Sequence, residues 1–181
     1  ALAAAVSRVL APREPEAVET LRTSIVLPRG QKLASGDAMQ ALALSRDGQR
    51  LAYVGEHEGG SQLYVRDLAS LESKALAGTG GATHPFFSPD SEWIGYFASG
   101  ALQKVAVSGG APLRVCAVKA RALGASWGRD GRVVFALWGS GLHVVDAMGG
   151  EPRRLGDLDD ARWPEVLPDG RVAQDLGQPP E

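Results

Sequence analysis

The feature that most limits how this chain can fold is a turn that returns four times. Ser45-Arg46-Asp47-Gly48, Ser88-Pro89-Asp90-Ser91, Gly128-Arg129-Asp130-Gly131 and Leu167-Pro168-Asp169-Gly170 each stand between two short apolar runs. The Asp positions are separated by 43, 40 and 39 residues. A second landmark keeps step: Leu63-Tyr64-Val65, Leu102-Gln103-Lys104-Val105 and Leu142-His143-Val144-Val145 follow at intervals of 39 and 40. A period near forty with two hairpin signals per unit points to sheets repeated about an axis.

The residues inside one unit support this. In Ser88-Pro89-Asp90-Ser91, Pro presets φ for the second position of a type I turn and Ser bonds back to the backbone. The other three turns place Gly after Asp, where a left-handed conformation carries no steric cost. Ser91 is therefore expected to make a strained or wider turn. The runs that follow, 50–54, 93–97 and 132–136, are apolar on both parities, which suits strands covered on both faces. They are too short for buried helices.

The next strands, 62–68 and 103–107, alternate more and are expected further from the centre. Ser108-Gly109-Gly110-Ala111-Pro112 and Met148-Gly149-Gly150-Glu151-Pro152 then turn the chain into outer strands at 113–116 and 153–155, with 73–76 as the earlier equivalent. Four strands meandering outward make one blade of a β-propeller. An open antiparallel sandwich is the alternative, and it would show less regular spacing. The expected fold is all-β: a partial propeller of about three and a half four-stranded antiparallel blades. Blades are expected at 41–77, 84–118 and 124–158, and a fourth opens at Arg162 and runs two strands to residue 176.

Residues 21–181 are assigned to this domain and residues 1–20 to an apolar segment and charged, Pro-containing linker. Arg8 interrupts the apolar start well short of the roughly 18 residues of a membrane span, leaving a frayed helix or the end of a membrane helix as readings. The chain begins with Ala1 rather than Met and is expected to be a piece of a longer protein. Residues 23–27 read as a single strand that could complete the last blade of a four-bladed ring. The other expectation is an arc of a larger ring, whose bare blade faces favour self-association.

Composition narrows the function. With 181 residues, 44% hydrophobic and a formal charge of −2, the chain lacks the basic excess that nucleic-acid binding calls for. The lone Cys116 sits in an apolar run and reads as buried filler. Three His and one Cys at scattered spacings make no zinc pattern, and the loop with Asp157, Asp159 and Asp160 lacks the closing Glu of a calcium loop. Gly78-Thr79-Gly80-Gly81 precedes an extended segment and reads as a connector rather than a phosphate cradle. Ser140 lies in a hairpin loop with no nucleophile elbow around it. No cofactor or metal is expected. Binding groups are expected on one rim, where the loops from second to third strand and from blade to blade carry His57, His84, Arg121, Trp138, Arg162 and Trp163.

Pro85-Phe86-Phe87-Ser88-Pro89-Asp90, Trp93-Ile94-Gly95-Tyr96-Phe97 and Leu102-Gln103-Lys104-Val105-Ala106-Val107-Ser108-Gly109-Gly110-Ala111-Pro112 resemble the TolB-type "Ser-Pro-Asp-Gly" propeller repeats, which are WD-repeat-like. The likeness covers about residues 21–176. Within that class it is closest to the propeller that follows the transmembrane segment in many bacterial serine/threonine protein kinases. The resemblance implies an extracytoplasmic sensing or protein-binding module tethered to a membrane helix ending near residue 10. The kinase's Gly-rich loop, His-Arg-Asp loop and Asp-Phe-Gly are absent from this sequence, so the chain itself is expected to be non-catalytic. Two other parents remain open: a peptidase or other hydrolase whose propeller gates substrates, and a scaffold of a periplasmic envelope complex.

Overall fold

A computed structural model describes Leu27 and residues 32–35, 40–57, 60–70, 72–157 and 159–176. The described elements are strands and turns. Blade one holds β1 (Lys32–Leu33), β2 (Leu42–Leu44), β3 (Arg50–His57), β4 (Gly60–Asp67) and β5 (Ser73–Ala75). Blade two holds β6 (Thr83–Phe87), β7 (Trp93–Ala98), β8 (Ala101–Ala106) and β9 (Leu113–Ala117). Blade three holds β10 (Ala122–Trp127), β11 (Arg132–Leu137), β12 (Gly141–Asp146) and β13 (Arg153–Leu155). A two-stranded sheet follows, β14 (Ala161–Val166) with β15 (Val172–Leu176). Within each sheet the paired strands run antiparallel, in sequence order except that β1 and β2 both pair with β3, so the architecture is a partial β-propeller. No helix among the described residues is long and apolar enough to cross a membrane.

The apolar runs are explained by where the core lies, which is between blades rather than inside one. Phe87, Ile94, Tyr96 and Val105 face blade one and share a core with Ala52, Val54, Leu63 and Leu76. The alternate residues Phe86, Phe97, Leu102 and Cys116 face blade three, against Trp127, Val133 and Phe135. Val134, Ala136 and Val144 then meet Ala161 and Val166 of the last sheet. Fully burying a side chain of this size stabilises by roughly 1.5–3 kcal/mol, so each shared face outweighs any single turn. Burial also pushes the Tyr96 phenol up to about 12 and raises the Cys116 thiol, which leaves that cysteine as filler.

The four Asp turns share one hydrogen-bond pattern. The N–H two residues on donates to Oδ1 of Asp47 (2.9 Å), Asp90 (3.1 Å), Asp130 (3.1 Å) and Asp169 (3.0 Å). In blades one and two the Ser two residues before adds a bridge: its hydroxyl donates to the Asp and accepts the N–H of Arg50 or Trp93. Gly48, Gly131 and Gly170 take positive φ after the Asp, and Ser91 takes the same conformation at φ 61°. Its strain is offset by position. The Ser91 carbonyl accepts Arg50 Nη1 at 3.0 Å from blade one, and its hydroxyl lies against Asp47.

Blade one, expected to begin at residue 41, also takes in a strand ahead of it. β3 is longer than β7 or β11, and β2 covers only its Leu51–Tyr53 half. β1 pairs with Gly55 and Glu56 on the same edge, filling what β2 leaves open. Of the strand expected at 23–27, only Leu27 lies among the described residues, and it packs on Leu51, Tyr53 and Tyr64 of blade one. The residue 1–20 segment lies outside the described residues.

Two outcomes follow. Gly131 has φ +81° and open space where a Cβ would go, so Gly131→Ala adds left-handed strain without a clash; urea unfolding is expected to show a loss of about 1 kcal/mol. The second concerns pH. Hydrogen bonds hold all four turn carboxyls below the ordinary carboxylate value, led by the Ser hydroxyl at Asp47 and Asp90 and by the N–H two residues on at Asp130 and Asp169. Their contribution is therefore complete above the unfolded value of about 3.9 and is lost as pH falls through the lower folded values. Melting temperature is expected to drop below about pH 4, and Asp90→Asn is expected to flatten that drop.

Candidate ligand-binding rim

The meander sends alternate turns to opposite ends of each blade. The Asp turns and the third-to-fourth-strand turns lie on one rim; the second-to-third-strand turns and the blade connectors lie on the other. Five of the six residues picked out from the sequence have described side chains on that second rim, and His57 ends β3 at its own hairpin there, paired through its backbone with Gly60.

β-bulges in the innermost strands position two of the five. Register shifts fall between Thr83 and Phe86, between Ala122 and Ala125, and between Arg162 and Glu165. Inside them the backbone turns to positive φ at His84 (49°), Gly124 (113°) and Trp163 (41°). Each lies six residues before its blade's Asp. A bulge re-aims a side chain, and positive φ on a bulky residue is strain that the surrounding structure must hold in place. Here the Gln40 carbonyl, just ahead of β2 in blade one, holds His84 by accepting its backbone N–H at 3.0 Å. Trp163 is held by contact: a Cβ on Gly124 would come within 2.9 Å of its indole and 3.1 Å of its Cα.

The arrangement splits into two parts. His84 and Arg121 line a cleft of about 380 Å³ between blades two and three, with Ser99 and Gly100 of the β7–β8 turn and Val118 of the connector. His84 is buried in the wall of this cleft, and its ring meets Phe97 edge-on at 6.2 Å. Beyond this cleft the Arg121 carbonyl accepts the Trp138 N–H at 2.9 Å. Trp138 is 55% exposed, and the Arg162 guanidinium lies 5.5 Å from its ring centroid. Such stacking contributes roughly 0.5–1 kcal/mol at an exposed site, enough to hold a flat surface ready but not to build one. Arg162 Nε is buried without a hydrogen-bond acceptor. Trp163 is also exposed.

Sequence reasoning missed His143. Its ring stacks on Phe135 at 5.6 Å and its Nδ1 is buried without a partner. No signal marked it, because it sits mid-strand where the alternation reads as polar. Thr79, in the glycine-rich connector, is fully buried; its hydroxyl donates to Leu76 O and accepts the Leu63 N–H, a structural plug as expected of a connector. Asp159 is ion-paired with Arg154. Among the described residues no group of three or more His, Cys, Asp or Glu is placed to hold a metal ion.

No protein-family model matches the chain, and no curated protein matches it. Solved structures do. A protein assigned as TolB from Agrobacterium tumefaciens is 22% identical, with a TM-score of 0.63 over 75% of this chain and 57% of that one. TolB from Acinetobacter baumannii is 20% identical, with a TM-score of 0.64 over 75% and 37%. An oligogalacturonate lyase from Vibrio parahaemolyticus is 19% identical, with a TM-score of 0.60 over 76% and 45%. The chain thus spans between about a third and three fifths of these proteins. The likeness establishes the TolB-like propeller fold.

Gly124→Ala is the direct check on the bulge. The added methyl has to displace Trp163 and adopt φ 113°, and chemical denaturation is expected to show a loss of about 2 kcal/mol or more.

Proposed function

We propose that this propeller is a non-catalytic binding module, the extracytoplasmic sensor portion of a bacterial membrane serine/threonine kinase. The observation that carries the binding role is the exposed Trp138 indole under the Arg162 guanidinium, on a turn and a strand end set by rigid inter-blade cores. Aromatic and Arg side chains are the groups that dominate recognition energetics when a partner desolvates them. Arg121 and the adjoining cleft extend the same surface toward blade two. The likeness of Phe87-Ser88-Pro89-Asp90 and its repeats to kinase-linked propellers supports the parent assignment. The partner is a protein segment or small molecule recognised on this rim.

Enzymes share the fold, as the oligogalacturonate lyase does. The absence of a nucleophile elbow from the sequence favours the binding role for this chain over a hydrolase role. A hydrolase-gating propeller and a periplasmic scaffold are the competing parents. The flanking coding sequence separates them: a membrane span and kinase motifs on the N-terminal side are expected, and a nucleophile elbow on the C-terminal side would replace the sensor reading. For the rim itself, a photo-crosslinking residue at position 138 of the full-length protein is expected to capture a partner in the native host. The same residue at position 113, exposed on an outer strand, is expected to capture none.

A further inference from the structure

On the rim of the Asp turns, one interior position of the repeat carries a charged side chain among the described blades. Val65 in β4, Lys104 in β8 and Val144 in β12 are equivalent: each pairs with the third residue of the strand before it, Ala52, Gly95 and Val134. Each is directed at the next blade. The two valines are 7% exposed and belong to inter-blade cores; Lys104 is 8% exposed in the same setting. A cation thus stands where the repeat buries an aliphatic side chain.

Its surroundings leave it short of acceptors. The ammonium lies 5.0 Å from the Trp93 ring centroid and 5.9 Å from that of Trp127. Among the described residues its one hydrogen-bond contact is the Met148 thioether at 3.8 Å, a weak acceptor for a group with three N–H donors. Among the described residues no carboxylate forms an ion pair with it. The π-faces stabilise the charge but accept no conventional hydrogen bond. Lys104 lines a cleft of about 500 Å³ with Trp93, Trp127, Arg129, Asp146 and Met148. Asp146 is already engaged, taking the Met148 N–H at 2.7 Å, and Asp90 nearby holds Ser88 and the Glu92 N–H. Met148 is 85% exposed, so the sulfur over the ammonium is readily displaced.

We propose that this cleft is a binding site for an organic carboxylate with an aromatic or apolar body. The carboxylate takes the N–H donors of Lys104 in place of the Met148 sulfur, Arg129 adds a second positive charge, and the body lies against the two indoles. Asp90 and Asp146 line the same cleft, so a monoanion is favoured over a phosphate dianion. The site is on the opposite rim from Trp138 and stands independently of the role given to that surface.

Titration calorimetry with phenylacetate, acetate and inorganic phosphate at matched ionic strength tests it. Saturable binding of phenylacetate is expected, about tenfold tighter than acetate, with phosphate weakest. Lys104→Met is expected to lose at least about tenfold in phenylacetate affinity while its melting temperature stays equal or rises, because the equivalent positions hold Val. If that variant fails to fold, Arg129→Gln at an exposed turn position takes its place, with a severalfold loss expected. No saturable carboxylate binding, tightest binding of phosphate, or wild-type affinity in the variant would each overturn the proposal.

Discussion

Each interior sheet of this protein is apolar on both faces, and neither face is buried until another sheet lies against it. Phe87, Ile94, Tyr96 and Val105 belong to one interface and Phe86, Phe97 and Leu102 to the next, although they come from the same three strands. No blade is a stable unit alone, because half its apolar surface would stay in water. Polar contacts then index the blades at the edges: Arg50 reaches the Ser91 carbonyl, and Ser126 accepts the Val166 N–H. Arg46 of blade one also donates to the Val166 carbonyl, so the first blade and the last sheet meet at one side chain. The inner strands line a common central cleft between them.

Rigid interfaces allow strain to be kept where it is useful. His84, Gly124 and Trp163 occupy one repeat position and take a backbone conformation that two of them would avoid in isolation. The bulge is a property of the blade, and the residue placed in it is a property of that blade's use. In blade two it sends a His ring into the wall of a cleft. In the last sheet it sends an indole outward, and blade three supplies the Gly that leaves room for it.

Much of the candidate surface was legible before any coordinates. The Asp period shows which loops fall together, so Arg121, Trp138, Arg162 and Trp163 could be assigned to one rim from spacing alone. The burial of His84 was not legible, because it depends on a bulge that turns the side chain toward Phe97. Lys104 was hidden for a related reason. In Gln103-Lys104-Val105 a charged residue in an alternating strand reads as solvent-facing, and only the register with Gly95 shows that it replaces a core valine.

What the sequence determined by itself was the repeat: turn chemistry and strand length are local, and a forty-residue period leaves few architectures other than blades about an axis. Tertiary structure decided which side chains on those blades are buried, stacked or left without a proper partner. That depends on which blade lies alongside, and the contacts between Trp93, Lys104 and Trp127 join residues whose closeness no local pattern encodes.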